Sequence, residues 1–260
     1  MPRDLVIIGT GKLASNILEQ LIKCDDFQVY MVGRNSDKLN QFVAQFPRLK
    51  KLHISEIPEN AICLICVSDS AIAEISSFIP KHVSLVVHCS GSMKLDEISI
   101  HHENTAVVWP LQSFTSQAVN WERIPLIVEI KTETALQELD VFLKALSGPV
   151  SMLDFEHRKR LHLAAVIVNN FSNHIFAQAQ DYCTKNDLPF NALQPLIELT
   201  VSRIGKGNLA EFQTGPANRE DLITMNAHLE LLKDDEMLRA LYSTVSDSIT
   251  NFSKNKKGDN

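Results

Sequence analysis

From residue 4 to about residue 130, short apolar runs alternate with polar, helix-like stretches. Most runs are continuous rather than alternating, which is typical of strands in a parallel sheet covered on both faces. Amphipathic segments lie between them, for example at 13–22 and 37–46. Strands and helices that alternate in this way predict a doubly wound α/β sheet. The predicted strands are 5–9, 27–33, 51–54, 61–67, 83–89, 105–109 and 125–130.

The pattern becomes helical after the turn signal at 147–149. Residues 156–186 hold no Gly or Pro, and small or apolar side chains recur there at spacings of three and four, which predicts one long helix. Further helices are expected after it. The predicted fold is therefore α/β, with a Rossmann-type, doubly wound, mostly parallel sheet over 1–150 and an all-α C-terminal domain over 151–260. The stripe on the long helix consists of Leu161, Ala165, Val168, Ser172, Ile175, Ala179 and Cys183.

Composition and charge exclude several classes of partner. The 260 residues include 25 Lys+Arg and 31 Asp+Glu, for a formal charge of −6, and 45% are hydrophobic. This is ordinary for a globular chain, and it argues against a nucleic-acid or membrane surface, because both need clustered basic side chains. The first residues lack the apolar core of a signal peptide, and no run approaches the ~18–20 apolar residues of a membrane span. A cytoplasmic protein with reduced cysteines is expected.

A C-x-x-C pair lies inside the apolar run 61–67. Cys63 and Cys66 are three residues apart, so in a strand they would point to opposite faces and could not share a metal ion. They are interpreted as buried structural cysteines rather than as a redox or zinc pair.

The sharpest local signal is the glycine loop after the first predicted strand. Gly9, Gly11 and Ala14 fit the pattern G-x-G-x-x-A between a buried strand and a helix, which is the setting of a dinucleotide fingerprint. Gly9 would permit the tight turn, Gly11 would let a pyrophosphate approach the backbone, and Ala14 would allow close helix–strand packing. The helix N-terminus would offer free N–H groups to the phosphates. The predicted contacts are Gly9, Thr10, Gly11, Lys12, Leu13 and Ala14.

The end of the second predicted strand indicates which dinucleotide is bound. An NAD site usually has an acidic residue there for the ribose 2′-hydroxyl, whereas this chain has Gly33-Arg34-Asn35-Ser36. Arg34 could bind a 2′-phosphate through two parallel hydrogen bonds, and Asn35 and Ser36 could donate further ones. NADP is therefore the predicted cofactor, held in part by Gly33, Arg34, Asn35 and Ser36. The alternative is a turn with a solvated arginine.

Two more strand ends should face the cofactor, because ligands in this architecture lie beyond the carboxyl ends of the strands. Val67, Ser68 and Asp69 follow the fourth predicted strand, where they could line the ribose or simply cap a helix. Ser90 and Gly91 follow the fifth and would lie beside the nicotinamide or the substrate. Loop chemistry alone explains this second segment nearly as well.

Polar side chains on the long helix suggest catalytic groups. His162 and Asn169 share one helical face, and Asn170 lies one step around it. Buried polar groups need partners, so His162 could donate or relay a proton while Asn169 or Asn170 polarises a carbonyl or imine. The alternative is a polar helix side that is solvated or lies at an interface.

A second dense polar stretch lies at 213–221. Gly215 and Pro216 would begin a helix whose N-terminus binds an anion, and Arg219 would hold a substrate carboxylate. Alternatively, Arg219 pairs with Glu220 or Asp221 in a surface network.

Five segments together resemble a known family of NADP oxidoreductase-like proteins within the 6-phosphogluconate-dehydrogenase-like superfamily. In that family a Rossmann domain related to pyrroline-5-carboxylate reductase and deazaflavin-dependent NADP reductase precedes a helical domain of unassigned function. The resemblance covers almost the whole chain and implies NADP binding through Gly9, Gly11 and Arg34. It also implies an interdomain cleft lined by His162 and 215–219. The segments are VIIGTGKLA, CVSDSAI, VVHCSGS followed by WPLQSF, RLHLAAVIVNNFSNH and QTGPANRED.

These observations predict an NADPH-dependent reductase of a small C=N or C=O compound that carries a carboxylate. Relatives in the superfamily commonly use a Lys four residues before an Asn on the first helix after the Rossmann domain. This chain has no such Lys–Asn pair there; it has His162, with Val166 four residues later. A non-catalytic NADP(H)-binding regulator and a coenzyme A or flavin binder remain alternatives. A homodimer through the helical domain is expected, because the small-and-apolar stripe must be covered by other helices or by a second subunit.

Overall fold

A computed structural model describes residues 2–258, and in it the chain divides into two compact units, Met1–Asn170 and Phe171–Asn260. The first unit is built on an eight-stranded sheet with the order β3-β2-β1-β4-β5-β6-β7-β8. Every neighbouring pair is parallel except β6 and β7. The strands are β1 Arg3–Ile8, β2 Phe27–Val32, β3 Lys50–Lys51, β4 Ile62–Ile65, β5 Leu85–His88, β6 Thr105–Pro110, β7 Leu126–Ile130 and β8 Val150–Met152.

Both faces of this sheet are covered, which confirms the doubly wound, mostly parallel fold. Successive residues of β1 alternate between two hydrophobic clusters, with Leu5 and Ile7 in one and Val6 and Ile8 in the other. All four side chains are fully or almost fully buried. The helices of this unit are α1 Lys12–Leu21, α2 Ser36–Gln45, α3 Ile72–Phe78, α4 Asp96–Ser99, α5 Glu133–Leu146 and α6 Phe155–Ala165.

Two strands differ from the sequence prediction. The predicted strand 51–54 is reduced to the two residues of β3, and a short 3₁₀ helix at Ile54–Glu56 follows it. The last strand, β8, was not predicted. Its three residues are all exposed, so it lacks the apolar run that signalled the other strands.

The predicted long helix at 156–186 contains an irregularity in its middle. α6 is followed by a π-helical segment, Val166–Phe171, and then by α7, Ser172–Lys185. The division between the two compact units falls inside that segment, whereas the predicted domain boundary lay at 150/151. Leu161 and Ala165 explain why α6 remains with the sheet, because both pack against one of its hydrophobic clusters.

The second unit is helical, as predicted, and buries few side chains. Of its residues with described side chains, Cys183, Ala217, Leu232 and Ser246 are buried. Within 2–258, no helix is both long enough and apolar enough to cross a membrane. The helices are α7 Ser172–Lys185, α8 Gln194–Ser202, α9 Pro216–Arg219, α10 Leu222–Leu231 and α11 Glu236–Gly258.

Candidate active site

The carboxyl ends of β1, β4 and β5 meet at one edge of the sheet. Ile8 is in register with Ile65, and Ile65 with His88, so the loops after these three strands start side by side. Loops at this edge of a doubly wound sheet form its ligand-binding crevice.

The glycine loop has the geometry that its sequence predicts. Gly9 has φ +131°, and a Cβ at this position would lie 2.2 Å from the carbonyl oxygen of Cys66, so only glycine fits there. A Cβ at Gly11, by contrast, would meet nothing within 4 Å. Ala14 is fully buried in the core, where a small side chain lets α1 approach the sheet. The loop therefore combines a tight turn with open space above the start of α1.

A cavity of about 1060 Å³ lies over this loop. Most of the predicted cofactor residues line it, together with Cys66, His53 and the apolar side chains of Leu52, Ile54, Ile75 and Phe78. Its volume is at the upper end of what small-molecule sites usually occupy. The predicted residues in its wall are Gly9, Thr10, Gly11, Lys12, Leu13, Gly33, Arg34, Asn35, Val67 and Ser68.

The polar residues at the end of β2 have different structural roles. Arg34 is exposed and lines the cavity. Asn35 also lines it, but its Oδ1 accepts a hydrogen bond from the backbone N–H of Lys38 at 2.9 Å and so caps α2. Ser36 is the first residue of that helix. The cationic group available at this end of the cavity is therefore Arg34.

The loop after β5 is held by its own side chains. The Ser90 N–H donates to Nδ1 of His88 at 3.2 Å, and the Ser90 hydroxyl accepts from the N–H groups of Ser92 and Met93, both at 3.1 Å. The Ser92 hydroxyl donates to the Asp69 carboxylate at 2.5 Å, which ties the loop after β4 to the loop after β5. Asp69 and Ser90, both predicted cofactor contacts, thus shape these loops.

His88 is completely buried at the start of this network. Burial, with a further contribution from the nearby charge of Arg158, lowers its pKa from 6.5 to about 4, although the hydrogen bond to the Lys94 carbonyl opposes the shift. The imidazole is therefore neutral near pH 7. It accepts at Nδ1 from Ser90 and donates at Nε2 to the carbonyl of Lys94, at 3.2 Å.

This buried imidazole predicts an acid-sensitive fold. Unfolded His88 has its ordinary pKa near 6.5, so the unfolded chain binds more protons than the folded one between pH 6.5 and 4. Stability should therefore fall as the pH drops through this window, by about 3 kcal/mol at most from this residue. Denaturant unfolding from pH 7.5 to 4 measures the slope, and His88→Gln should reduce it. A His88 ring that titrates near pH 6.5 by NMR would contradict the prediction.

His162 lies against the loop after β5. Its ring centroid is 5.3 Å from that of Trp109, and the two planes are tilted by 57°. A Cβ on Gly91 would lie 2.7 Å from Cδ2 of His162 and 2.7 Å from Cε2 of Trp109. Because Gly91 has no side chain, the half-buried imidazole can approach the backbone of this loop directly. The structure thus brings together His162 and Gly91, which the sequence suggested separately.

Arg158 was not singled out in the sequence, yet it is wholly buried beside this loop. Its Nη1 donates to the carbonyl of Ser90 at 2.9 Å, and its Nη2 pairs with Oε2 of Glu129 on β7 at 2.8 Å. The sequence did hold a signal. A carboxylate in the apolar run 125–130 requires a buried partner.

The remaining predicted site residues lie elsewhere. Asn169 and Asn170 are exposed within the π-helical segment. Such π-helical segments are frequent at functional sites, so the catalytic role predicted for Asn169 and Asn170 stays a prediction. Gly215, Pro216 and Arg219 belong to the helical unit.

The stretch 213–221 contains a short helix and the cap of the next one. Pro216 is the first residue of α9, which is four residues long. Pro216 also lines an apolar cavity of about 770 Å³ within the helical unit. Asp221 caps α10, and the hydrogen bonds that Thr224 donates to its carboxylate lower its pKa.

The cysteines behave as structural residues. Cys63 and Cys66 belong to hydrophobic clusters on opposite faces of the sheet, as predicted. Burial raises the pKa of Cys63 to about 12. A hydrogen bond to Cys89, with Sγ–Sγ 3.9 Å, and burial together raise that of Cys66. These thiols stay protonated near neutral pH and are poor nucleophiles. Within 2–258, the structure brings no three metal-ligating side chains together.

The two loop glycines predict opposite kinds of defect. Gly9→Ala should destabilise the fold, because the new Cβ would collide with the Cys66 carbonyl. Gly11→Ala should leave the melting temperature unchanged, since the added methyl meets nothing, but it should weaken binding of a pyrophosphate by roughly tenfold or more, because the backbone can no longer be approached closely. Thermal melts with NADPH titrations separate the two effects. Equal, full nucleotide affinity in both variants would show that the pyrophosphate does not lie over this loop.

Two family models match the chain. Residues 4–90 match the family described as NADP oxidoreductase coenzyme F420-dependent, and residues 124–249 match a domain of unknown function, DUF2520. Among curated protein sequences, none matches this chain.

Solved structures extend the likeness over nearly the whole chain. A Bacteroides fragilis protein, provisionally named an NADP oxidoreductase, is 31% identical with a TM-score of 0.85, over 96% of this chain and 98% of that one. A Thermotoga maritima protein is 21% identical with a TM-score of 0.69, over 97% and 99%. The pyrroline carboxylate reductase of Plasmodium falciparum, solved with NADP bound, is 11% identical with a TM-score of 0.63, over 96% and 98%. The last two likenesses concern the fold alone.

Proposed function

Since this chain belongs to the family of NADP oxidoreductase-like proteins that join an F420-dependent-type NADP oxidoreductase domain to a DUF2520 domain, we propose that it is an NADP(H)-dependent reductase of a small C=N or C=O compound that carries a carboxylate. One observation carries the proposal. The large cavity over the glycine loop has open space at Gly11 and an arginine, rather than a carboxylate, at the end of β2.

The residues around this cavity fit a nicotinamide dinucleotide phosphate. The open backbone at Gly11 and the start of α1 would face the pyrophosphate. Arg34 would hold the 2′-phosphate, because a guanidinium matches phosphate geometry with two parallel hydrogen bonds. Val67 and Ser68 would line the ribose on the nicotinamide side.

The reaction needs a hydride and a proton. When bound, the nicotinamide supplies the hydride to the electrophilic carbon of the substrate. His162 would donate the proton to the substrate nitrogen or oxygen, because its imidazole lies against Gly91 of the loop after β5 and imidazole is a common general acid in enzymes. Asn169 or Asn170 would polarise the acceptor atom, and Gly215, Pro216 and Arg219 would receive the substrate carboxylate.

Calorimetric titration with NADPH, NADH and coenzyme A tests the proposal. We expect micromolar binding of NADPH, much weaker binding of NADH and none of coenzyme A. That result justifies a screen of cyclic imines and keto acids for substrate-dependent oxidation of NADPH. Failure of both nicotinamide nucleotides to bind would overturn the reductase proposal, and binding of coenzyme A alone would reassign the loop to another nucleotide.

We further propose a cytoplasmic homodimer formed through the helical unit. Free cysteines suit a reducing compartment. Exposed large apolar side chains in the helical unit need a cover. Ile223 is 86% exposed, Met237 81% and Leu231 69%. Sedimentation at micromolar concentration should give twice the chain mass, and a monomer throughout that range would contradict the dimer.

A further inference from the structure

Arg158 is buried and contacts Ser90, Glu129 and Phe155. Its side chain is completely buried, while the side chain of its partner Glu129 retains 18% exposure. It also lies over the ring of Phe155, with Cζ 5.5 Å from the ring centroid. Its Nε is buried and has no hydrogen-bond partner, which is costly in a protein interior. A lone buried ion pair is weak evidence for stability, because desolvation offsets most of the attraction. Stability alone therefore does not account for this buried arginine.

The guanidinium of Arg158 connects strand β7 to the loop after β5. Nη2 is fixed by Glu129 on the sheet, and Nη1 donates to the carbonyl of Ser90. The N–H of Ser90 donates to Nδ1 of His88, so hydrogen bonds hold both the carbonyl and the N–H of Ser90. The next residue, Gly91, contacts His162.

Two residues that contact this loop, Arg158 and His162, lie on α6. Arg158 and His162 are four residues apart on α6, so they lie on the same side of the helix, one turn from each other. The hydrogen bond from Arg158 to Ser90 therefore sets the distance between α6 and the loop. That distance in turn sets how closely His162 approaches Gly91.

We propose that Arg158, held by Glu129, is a positioning residue that fixes the Ser90–Gly91 loop and His162 in one arrangement at the nicotinamide end of the site. The inference rests on the proposed function, because it assigns the nicotinamide to this loop. Arg158 touches neither substrate nor cofactor in this assignment. It acts through the Ser90 carbonyl and through the helix that bears His162.

Two ligands separate positioning from general stability. NADPH spans the whole site, whereas 2′,5′-ADP carries only the adenosine end with the 2′-phosphate. Arg158→Met and Arg158→Lys should weaken NADPH binding by about tenfold and leave 2′,5′-ADP affinity within about twofold, because only the nicotinamide end is disturbed. Glu129→Gln keeps an acceptor for Nη2 and should cause a smaller loss. Arg160→Met is the matched control, since Arg160 is exposed on the same helix and should change neither affinity.

An NMR measurement tests the arrangement without any nucleotide. In the unmodified protein, Hδ2 of His162 should show a nuclear Overhauser contact with the Hα protons of Gly91, given the short approach of Cδ2. Loss of this contact in Arg158→Met, with retention in Arg160→Met, would support positioning. Arg158→Lys and Glu129→Gln serve the same purpose if Arg158→Met does not fold.

Other results would overturn the inference. Equal weakening of NADPH and 2′,5′-ADP would assign Arg158 to overall stability, as would unchanged affinities with a lower melting temperature. Retention of the His162–Gly91 contact in folded Arg158 variants would also contradict positioning. If the unmodified protein binds neither ligand, the proposed function fails, and so does the assignment of the nicotinamide to this loop. The NMR contact would still decide whether Arg158 sets the arrangement of the loop and α6.

Discussion

His162→Ala is expected to lower the turnover of NADPH-dependent reduction by roughly 10²-fold or more, because general acid catalysis by a positioned side chain contributes that much. The affinity for NADPH should stay nearly intact. His162 contacts Gly91 and the ring of Trp109, and it is not part of the wall of the cavity over the glycine loop. Steady-state turnover with a substrate from the imine and keto-acid screen, together with calorimetry of NADPH, measures the two quantities separately.

The same helix offers a matched control. The side chain of His157 is 71% exposed and pairs with Asp154 at the start of α6. His157→Ala should leave turnover and NADPH affinity unchanged. His162→Gln should behave like His162→Ala in turnover, because an amide cannot supply the proton. If turnover in His162→Ala equals that of the unmodified protein, His162 is not the proton donor. If NADPH affinity falls as far as turnover does, the ring is a packing element of the site.

The strands and the glycine loop were predictable because their signals are local. β1 ends in the apolar run 5–8, which is followed at once by the glycine loop, and both the turn at Gly9 and the open space at Gly11 follow from that short stretch. The exposed strand β8 could not be predicted in the same way. Its pairing with β7 is made by backbone hydrogen bonds, and these leave no trace in the polarity of its side chains.

The arrangement around His162 could be predicted only in part. Its place on a helix followed from periodicity, but its contact with Gly91 joins residues far apart in the chain. The role of Arg158 needed the same long-range information, since Ser90 and Glu129 come from two different strand ends of the sheet. In the helical unit, the substrate-binding role predicted for Gly215, Pro216 and Arg219 stays a prediction, and only the start of their helix could be recognised locally. Pro216 reads as a helix start in sequence, but the length of α9 depends on how the following residues turn.

Arg34→Ala should lower the affinity for NADPH by about 10- to 100-fold and change the affinity for NADH by no more than about twofold, because a charge-assisted hydrogen bond to phosphate is worth roughly 1.5–3 kcal/mol. NADH lacks the 2′-phosphate and so loses nothing when the guanidinium is removed. The neighbouring side chain of Asn35 cannot replace the charge, because it is an uncharged amide whose Oδ1 caps α2. Paired calorimetric titrations of the two nucleotides give the ratio directly.

The ionic-strength dependence of binding distinguishes a phosphate contact from a change in the shape of the cavity. A contact between Arg34 and the 2′-phosphate weakens with added salt, so NADPH affinity in the unmodified protein should fall more steeply with salt than in Arg34→Ala. Lys38→Ala is the control, because Lys38 is exposed on α2 and donates its backbone N–H, not its side chain, to Asn35. It should leave both the NADPH/NADH ratio and the salt slope in place. Equal losses of NADPH and NADH in Arg34→Ala would mean that Arg34 supports the cavity wall without reading the 2′-phosphate. The preference for NADP over NAD would then have to come from another cavity-lining residue, and Lys12 is the other lysine or arginine side chain in the described wall.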